Sequence, residues 1–224
     1  MSGTPEKIAL ADAAFKQLQL SKLAASPLAG MAAWMKAGRA PLAATLRQAG
    51  YTSDAEKGDT WIVRRAFVAN WGFSIPCAEA INVLHSLSPL VELGAGSGYW
   101  TALMRAAGAD MVATDKVSEG SPGYQLTAGL HCQIEPLCGL SAVRAYPARN
   151  VFCSWPSEGD DWCAEAAAAM QRGRYLGLIS KGRGGNVGSD ALFDLLDKEF
   201  SPKGHIAIPQ FPGSADGLTF YQRR

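Results

Sequence analysis

The stretch from Pro89 to Lys116, PLVELGAGSGYWTALMRAAGADMVATDK, constrains the fold more than any other part of the chain. Leu90-Val91-Glu92-Leu93 is a short, mostly apolar run that suits a parallel strand buried on both faces. Gly94, Gly96 and Gly98 follow in alternation, where a backbone without Cβ atoms can turn sharply and admit a ligand closely. A helical pattern starts at Tyr99, with Leu103 and Ala107 spaced four apart, and Gly108 is placed to end it. Met111-Val112-Ala113 predicts a second strand, closed by Asp115. Gly94 and Asp115 lie 21 positions apart, the length of one strand–helix–strand step, so the carboxylate returns beside the glycine turn.

An acid at that point can accept hydrogen bonds from the two cis hydroxyls of a ribose. The glycine turn and the helix start offer backbone N–H groups to the rest of the ligand. A dinucleotide site would need G-x-G-x-x-G, with the pyrophosphate over the helix end. Here Tyr99 stands at the third glycine position, which disfavours an NAD-linked oxidoreductase. The pattern present, G-x-G-x-G with Glu92 two residues before it, resembles the first motif of the Rossmann-like S-adenosylmethionine (AdoMet) methyltransferases.

The chain has 224 residues, 48% of them hydrophobic and 18% charged, enough for one α/β domain with an accessory segment. A formal net charge of +1 gives no bias toward nucleic acid or acidic membranes. No run of eighteen apolar residues predicts a membrane span, and the first fifteen residues do not read as a signal peptide. Cys77, Cys132, Cys138, Cys153 and Cys163 are odd in number and form no C-x-x-C pair. Free thiols in a reducing cytoplasm are therefore expected, with neither a disulfide framework nor a metal site.

Residues 1–60 are expected to form an Ala-rich helical cap segment, and residues 61–224 the Rossmann-like domain. The aromatic run WIVRRAFVANWGFSIP shows no long helical period, and Ala78 to Leu84 reads as a helix leading into the first strand. Beyond Asp115, Gly120, Pro122, Gly123 and Gly129 predict an irregular crossover. Cys132–Leu137 reads as a third strand and Leu140–Tyr146 as a brief helix. Asn150–Ser154 reads as a fourth strand, whose turn carries Ser154, Trp155 and Pro156 to the ligand edge of the sheet. A helix over Trp162–Arg172, a strand over Arg174–Ser180, a helix ending at Phe200, and strands over His205–Pro209 and Gly217–Arg223 complete the pattern. Pro212 and Gly213 let the last strand return antiparallel. The basic loop KGRGGN suggests anion binding but lacks the Walker spacing.

From Asn70 onward, ELGAGSGYW, VFCSWP, the GG loop before a Phe-containing helix, and IPQFPGSADGLTFYQRR resemble a poorly described group of AdoMet methyltransferase-like proteins. Lys181 and Arg183 stand where that group carries an acid, and Pro156-Ser157 where it doubles the proline. The resemblance implies an α/β fold with a seven-stranded methyltransferase sheet whose last strand is antiparallel, AdoMet as cofactor, and a small or side-chain-sized acceptor.

It also implies roles. Gly94, Ala95, Gly96 and Gly98 would contact the methionine part through backbone atoms, with Tyr99 beside them. Glu92 would orient the loop and the cofactor amino group, and Asp115 would hold the ribose. Ser154 and Trp155 would face the acceptor, with Trp71 and Phe73 in the substrate wall. In amino-group methyltransferases a polar residue and an aromatic often follow the fourth strand, and Ser-Trp-Pro-Ser matches that arrangement loosely, pointing to an amine. Two alternatives remain open: a nucleic-acid amino methyltransferase, and a non-catalytic AdoMet-binding module.

Overall fold

The computed structural model describes residues 71–116, 130–211 and 214–224, together with Arg47, Arg64, Phe67 and Val68. The expected N-terminal cap and the 117–129 crossover lie outside the described residues, apart from Arg47, which is helical. The elements in order are α1 (Ala78–Ser86), β1 (Leu90–Leu93), α2 (Tyr99–Ala106), β2 (Met111–Thr114), β3 (Ile134–Glu135) and α3 (Gly139–Ala145). They continue with β4 (Asn150–Ser154), α4 (Trp162–Ala168), β5 (Tyr175–Ser180), α5 (Asp190–Glu199), β6 (Phe200–Ala207) and β7 (Gly217–Arg223).

All seven strands join one sheet in the order β3-β2-β1-β4-β5-β7-β6. β1 pairs in parallel with β2 and β4, and β4 with β5. β7 runs antiparallel between β5 and β6. The architecture is therefore an α/β fold on one seven-stranded sheet, with its last strand antiparallel as the sequence predicts. Reversal of β7 brings its first residue, Gly217, opposite Ser180 at the end of β5. Whatever precedes β7 thus meets the carboxyl ends of the parallel strands.

Alternation along β1 decides what each face holds. Val91 and Leu93 turn into a core with α3, α4 and α5, where Ala142, Cys163, Ala166, Leu192 and Leu196 are buried. Leu90 turns the other way, toward Ala80, Ile81 and Leu84 of α1 and Trp100 and Met104 of α2. Full burial of a side chain such as Leu90 contributes roughly 1.5–3 kcal/mol. By the same alternation Glu92 belongs to the α2 face, and this places a carboxylate inside the protein.

Several boundaries differ from expectation. Arg64, Phe67 and Val68 are helical, so part of the aromatic run has the helical conformation its composition concealed. The third strand keeps only Ile134 and Glu135, because Pro136 has no N–H to extend the ladder. The fourth helix stops at Ala168 instead of Arg172. The fifth ends at Glu199, and Phe200 already belongs to β6, which begins five residues before His205 and stops at Ala207. Ser189 caps α5 by accepting from the Leu192 N–H.

Candidate functional site

The bend after β1 is held from below and from the side. Ala95 N–H donates to the Thr114 carbonyl at 3.0 Å, which ties the bend to the end of β2. Gly96 N–H donates to Asp115 Oδ2 at 2.6 Å, so the carboxylate that closes β2 turns toward the glycine bend. Ser97 Oγ donates to the Trp71 carbonyl, and the Ser97 carbonyl accepts from His131 N–H at 2.8 Å.

The three glycines differ in what surrounds them. A Cβ on Gly94 would stand 3.2 Å from the Trp162 ring, and one on Gly98 would stand 2.6 Å from Cys132 Sγ. A Cβ on Gly96 would meet nothing within 4 Å. Gly94 and Gly98 are therefore packing glycines, and Gly96 faces open space. Its φ of +56° is a conformation that side-chain-bearing residues rarely adopt.

Glu92 is buried, and its Oε2 accepts from both the backbone N–H (3.2 Å) and the hydroxyl (2.5 Å) of Thr101. Burial pushes its carboxyl up to about 7, against the pull of the Thr101 hydrogen bonds. Nearby Asp115 adds to the rise, and Arg105 opposes it. Glu92 thus fastens the first turn of α2 to β1 and sits poised between its two charge states near neutral pH.

Segment 71–74 lies across both halves of the strand edge. Trp71 is buried, with its ring 6.2 Å from that of Tyr99, and Tyr99 in turn lies 5.2 Å from the His131 ring. Phe73 stacks on Trp155 with centroids 5.2 Å apart and planes 15° from parallel. Ser74 Oγ and Ser154 Oγ are 2.7 Å apart, and Trp100 Nε1–H donates to Ser74 Oγ at 2.9 Å. The structure thus brings Phe73 to Trp155 and Trp71 to Tyr99.

Trp155 adopts φ +58°, and its N–H donates to the Ile179 carbonyl at 3.0 Å. A bulky residue in this region costs of order 1–3 kcal/mol and persists only where its surroundings impose it. The Arg64 guanidinium lies over the Trp155 ring at 5.5 Å. Sequence reasoning passed over Arg64, Ser74, Trp100, His131 and Asp216. Trp100 had a readable signal, since the helix period places it on the face of Met104.

The basic loop after β5 is already engaged. Arg183 reaches back to Asp194 (2.9 Å) and Asp197 (2.8 Å) on α5, so its charge is directed to the protein's own helix. All five cysteines are free thiols. Among the described residues no group of His, Cys, Asp and Glu has a metal-binding arrangement, and no helix is long and apolar enough to cross a membrane.

No protein-family model matches the chain, and no curated protein sequence matches it. Solved structures do. Magnesium protoporphyrin IX methyltransferase from Synechocystis PCC 6803, with bound SAM, is 13% identical with a TM-score of 0.45. The match covers 88% of this chain and 97% of that one. The 1,6-didemethyltoxoflavin-N1-methyltransferase of Burkholderia thailandensis, with S-adenosylhomocysteine, is 16% identical with a TM-score of 0.43, covering 84% and 91%. The N-methyltransferase NodS of Bradyrhizobium japonicum WM9, also with S-adenosylhomocysteine, is 14% identical with a TM-score of 0.40, covering 65% and 86%.

Proposed function

We propose that the chain is an AdoMet-dependent methyltransferase acting on a small molecule or a side-chain-sized group, such as an amine. One observation carries the reading: the Asp115 carboxylate holds the Gly96 N–H at 2.6 Å where a Cβ on Gly96 would meet only open space. That is a cradle bordered by backbone with an acid on its rim. Such a cradle fits a ligand that pairs a ribose with an amino-acid tail.

In this reading Asp115 Oδ1, which makes no hydrogen bond among the described residues, accepts from a ribose hydroxyl. Gly94, Ala95, Gly96 and Gly98 line the tail through their backbone, and Tyr99 borders it. Glu92 balances the cofactor's ammonium group, through water or by its field. AdoMet supplies a methyl carbon activated by a sulfonium. The residues' own task is to hold the acceptor in line with that carbon at about 3–3.5 Å and to keep water out. Trp71 and Phe73 close the site from the segment before α1, and Ser154 and Trp155 face the acceptor.

Calorimetry with S-adenosylhomocysteine tests the cofactor assignment. Asp115→Ala should weaken binding by roughly 1.5–3 kcal/mol, the range for a hydrogen bond to a charged group. Unchanged affinity in that variant refutes the ribose role.

A further inference from the structure

We propose that Asp216, which precedes β7 and is buried beside the Trp155 indole, is the proton-accepting residue of the methyl-acceptor site, selecting acceptors that carry an N–H or O–H. The inference rests on the methyltransferase reading and extends it to the chemistry of the acceptor.

Topology brings Asp216 there. Gly217 pairs with Ser180 at the end of β5, and Trp155 N–H bonds Ile179 one residue earlier, so Asp216 and Trp155 share one edge of the sheet. Gln210 locks the backbone of Asp216 from both sides: its Oε1 accepts the Asp216 N–H at 2.8 Å, and its Nε2 donates to the Asp216 carbonyl. A surface loop acid would not need this clamp. Asp216 is only 8% exposed, and the Trp155 indole is the side-chain donor beside its carboxylate.

That donor has no other partner. Trp155 Nε1–H is buried and makes no hydrogen bond of normal geometry, although it lies close enough to the Asp216 carboxylate to stabilise its charge. A buried indole donor without a well-formed partner, next to a buried carboxylate, is a polar pair that an acceptor's N–H or O–H can join. Phe73 against Trp155 gives that group an aromatic wall.

Burial pushes the Asp216 carboxyl above its ordinary value, and Trp155, Arg64 and Lys181 pull it back down. Among the described residues those three are the groups that lower it. The carboxylate is therefore more basic than a solvated one, as suits a proton acceptor. In the transfer the acceptor's lone pair forms the new bond to the methyl carbon, and the carbon–sulfur pair stays with sulfur. The N–H or O–H bond breaks, and its proton passes to an Asp216 carboxylate oxygen and on to solvent.

The test is carbon-13 NMR of the full chain with labelled aspartate carboxyls, using Asp216→Asn to identify the signal, alongside nitrogen-15 spectra of the Trp155 indole identified by Trp155→Phe. Asp216 should titrate above the ordinary carboxylate range, and the Trp155 indole N–H should shift with the same midpoint. That indole shift should vanish in Asp216→Asn, while Asp216→Glu restores a titration. An ordinary midpoint, or an indole that ignores Asp216, overturns the proposal. S-adenosylhomocysteine affinity is measured beside it. Equal binding by wild type and Asp216→Asn is expected. Loss of binding in Asp216→Asn alone overturns the acceptor-side placement. Absence of binding in both refutes the cofactor reading instead.

Discussion

The two halves of the strand edge are built from different materials. The half over β1 and β2 consists of backbone and one carboxylate: the bend tied to Thr114, the Gly96 N–H on Asp115, and the open space at Gly96. The half over β4, β5 and β7 consists of side chains brought from afar: Phe73 on Trp155, Ser74 with Ser154 and Trp100, Arg64 over the indole, and Asp216 behind it. A backbone-built half suits a ligand that does not vary. A side-chain-built half can be retuned to a new acceptor without disturbing the first. The contrast predicts that mutations in one half leave the other half's property intact.

The largest effect should come from Gly96→Val. A β-branched residue at φ +56° is strained, and its side chain would enter the open space of the cradle. Binding of S-adenosylhomocysteine by calorimetry should be lost while the circular dichroism spectrum stays native. A variant with full affinity would break the contrast at its strongest point.

Next in size is a stability effect at Glu92. Its folded carboxyl lies near 7 against an ordinary 4.5, so the protein holds the protonated form more tightly than the unfolded chain does. This contribution is fully present below 4.5 and is lost as pH rises through about 7. By linkage the loss is roughly 3 kcal/mol. Glu92→Gln should remove that part of the pH dependence when urea unfolding of the two proteins is compared at pH 4.5 and 8. Wild-type cofactor binding should also release protons near neutral pH, because a bound ammonium favours ionised Glu92. Calorimetry in buffers of different ionisation enthalpy measures that release.

Smaller still is Ser74→Ala. It leaves the buried Trp100 indole N–H without its acceptor and should cost about 1–3 kcal/mol of unfolding free energy. S-adenosylhomocysteine affinity should stay within about twofold, an energy below RT ln 2 or roughly 0.4 kcal/mol. A large loss of affinity would show that the two halves are energetically one.

The same division explains what could be read in the chain. The spacing from Leu90 to Asp115 and the glycine alternation exposed the first half directly, because strand, bend and helix are local and their partner carboxylate lies within one strand–helix–strand step. The antiparallel return of β7 was also readable, from Pro212 and Gly213. Ser154, Trp155, Trp71 and Phe73 could be named as aromatic or polar residues near strand ends, but their pairings join positions as much as 82 apart. Asp216 left no local signal, since an acid after a glycine- and serine-containing link reads as a turn residue until β7 is known to run backward. The longer sixth strand was misjudged for a related reason, since pairing with β7, not propensity, decides where it stops, while the third strand is cut short by Pro136.

The most direct measurement is a crystal structure with S-adenosylhomocysteine bound. The account predicts ribose hydroxyls within hydrogen-bond reach of Asp115, the amino-acid tail over Gly96, and the sulfur directed toward Trp155 and Ser154. A ligand seated elsewhere, or an Asp115 carboxylate turned away from the ribose, would contradict it.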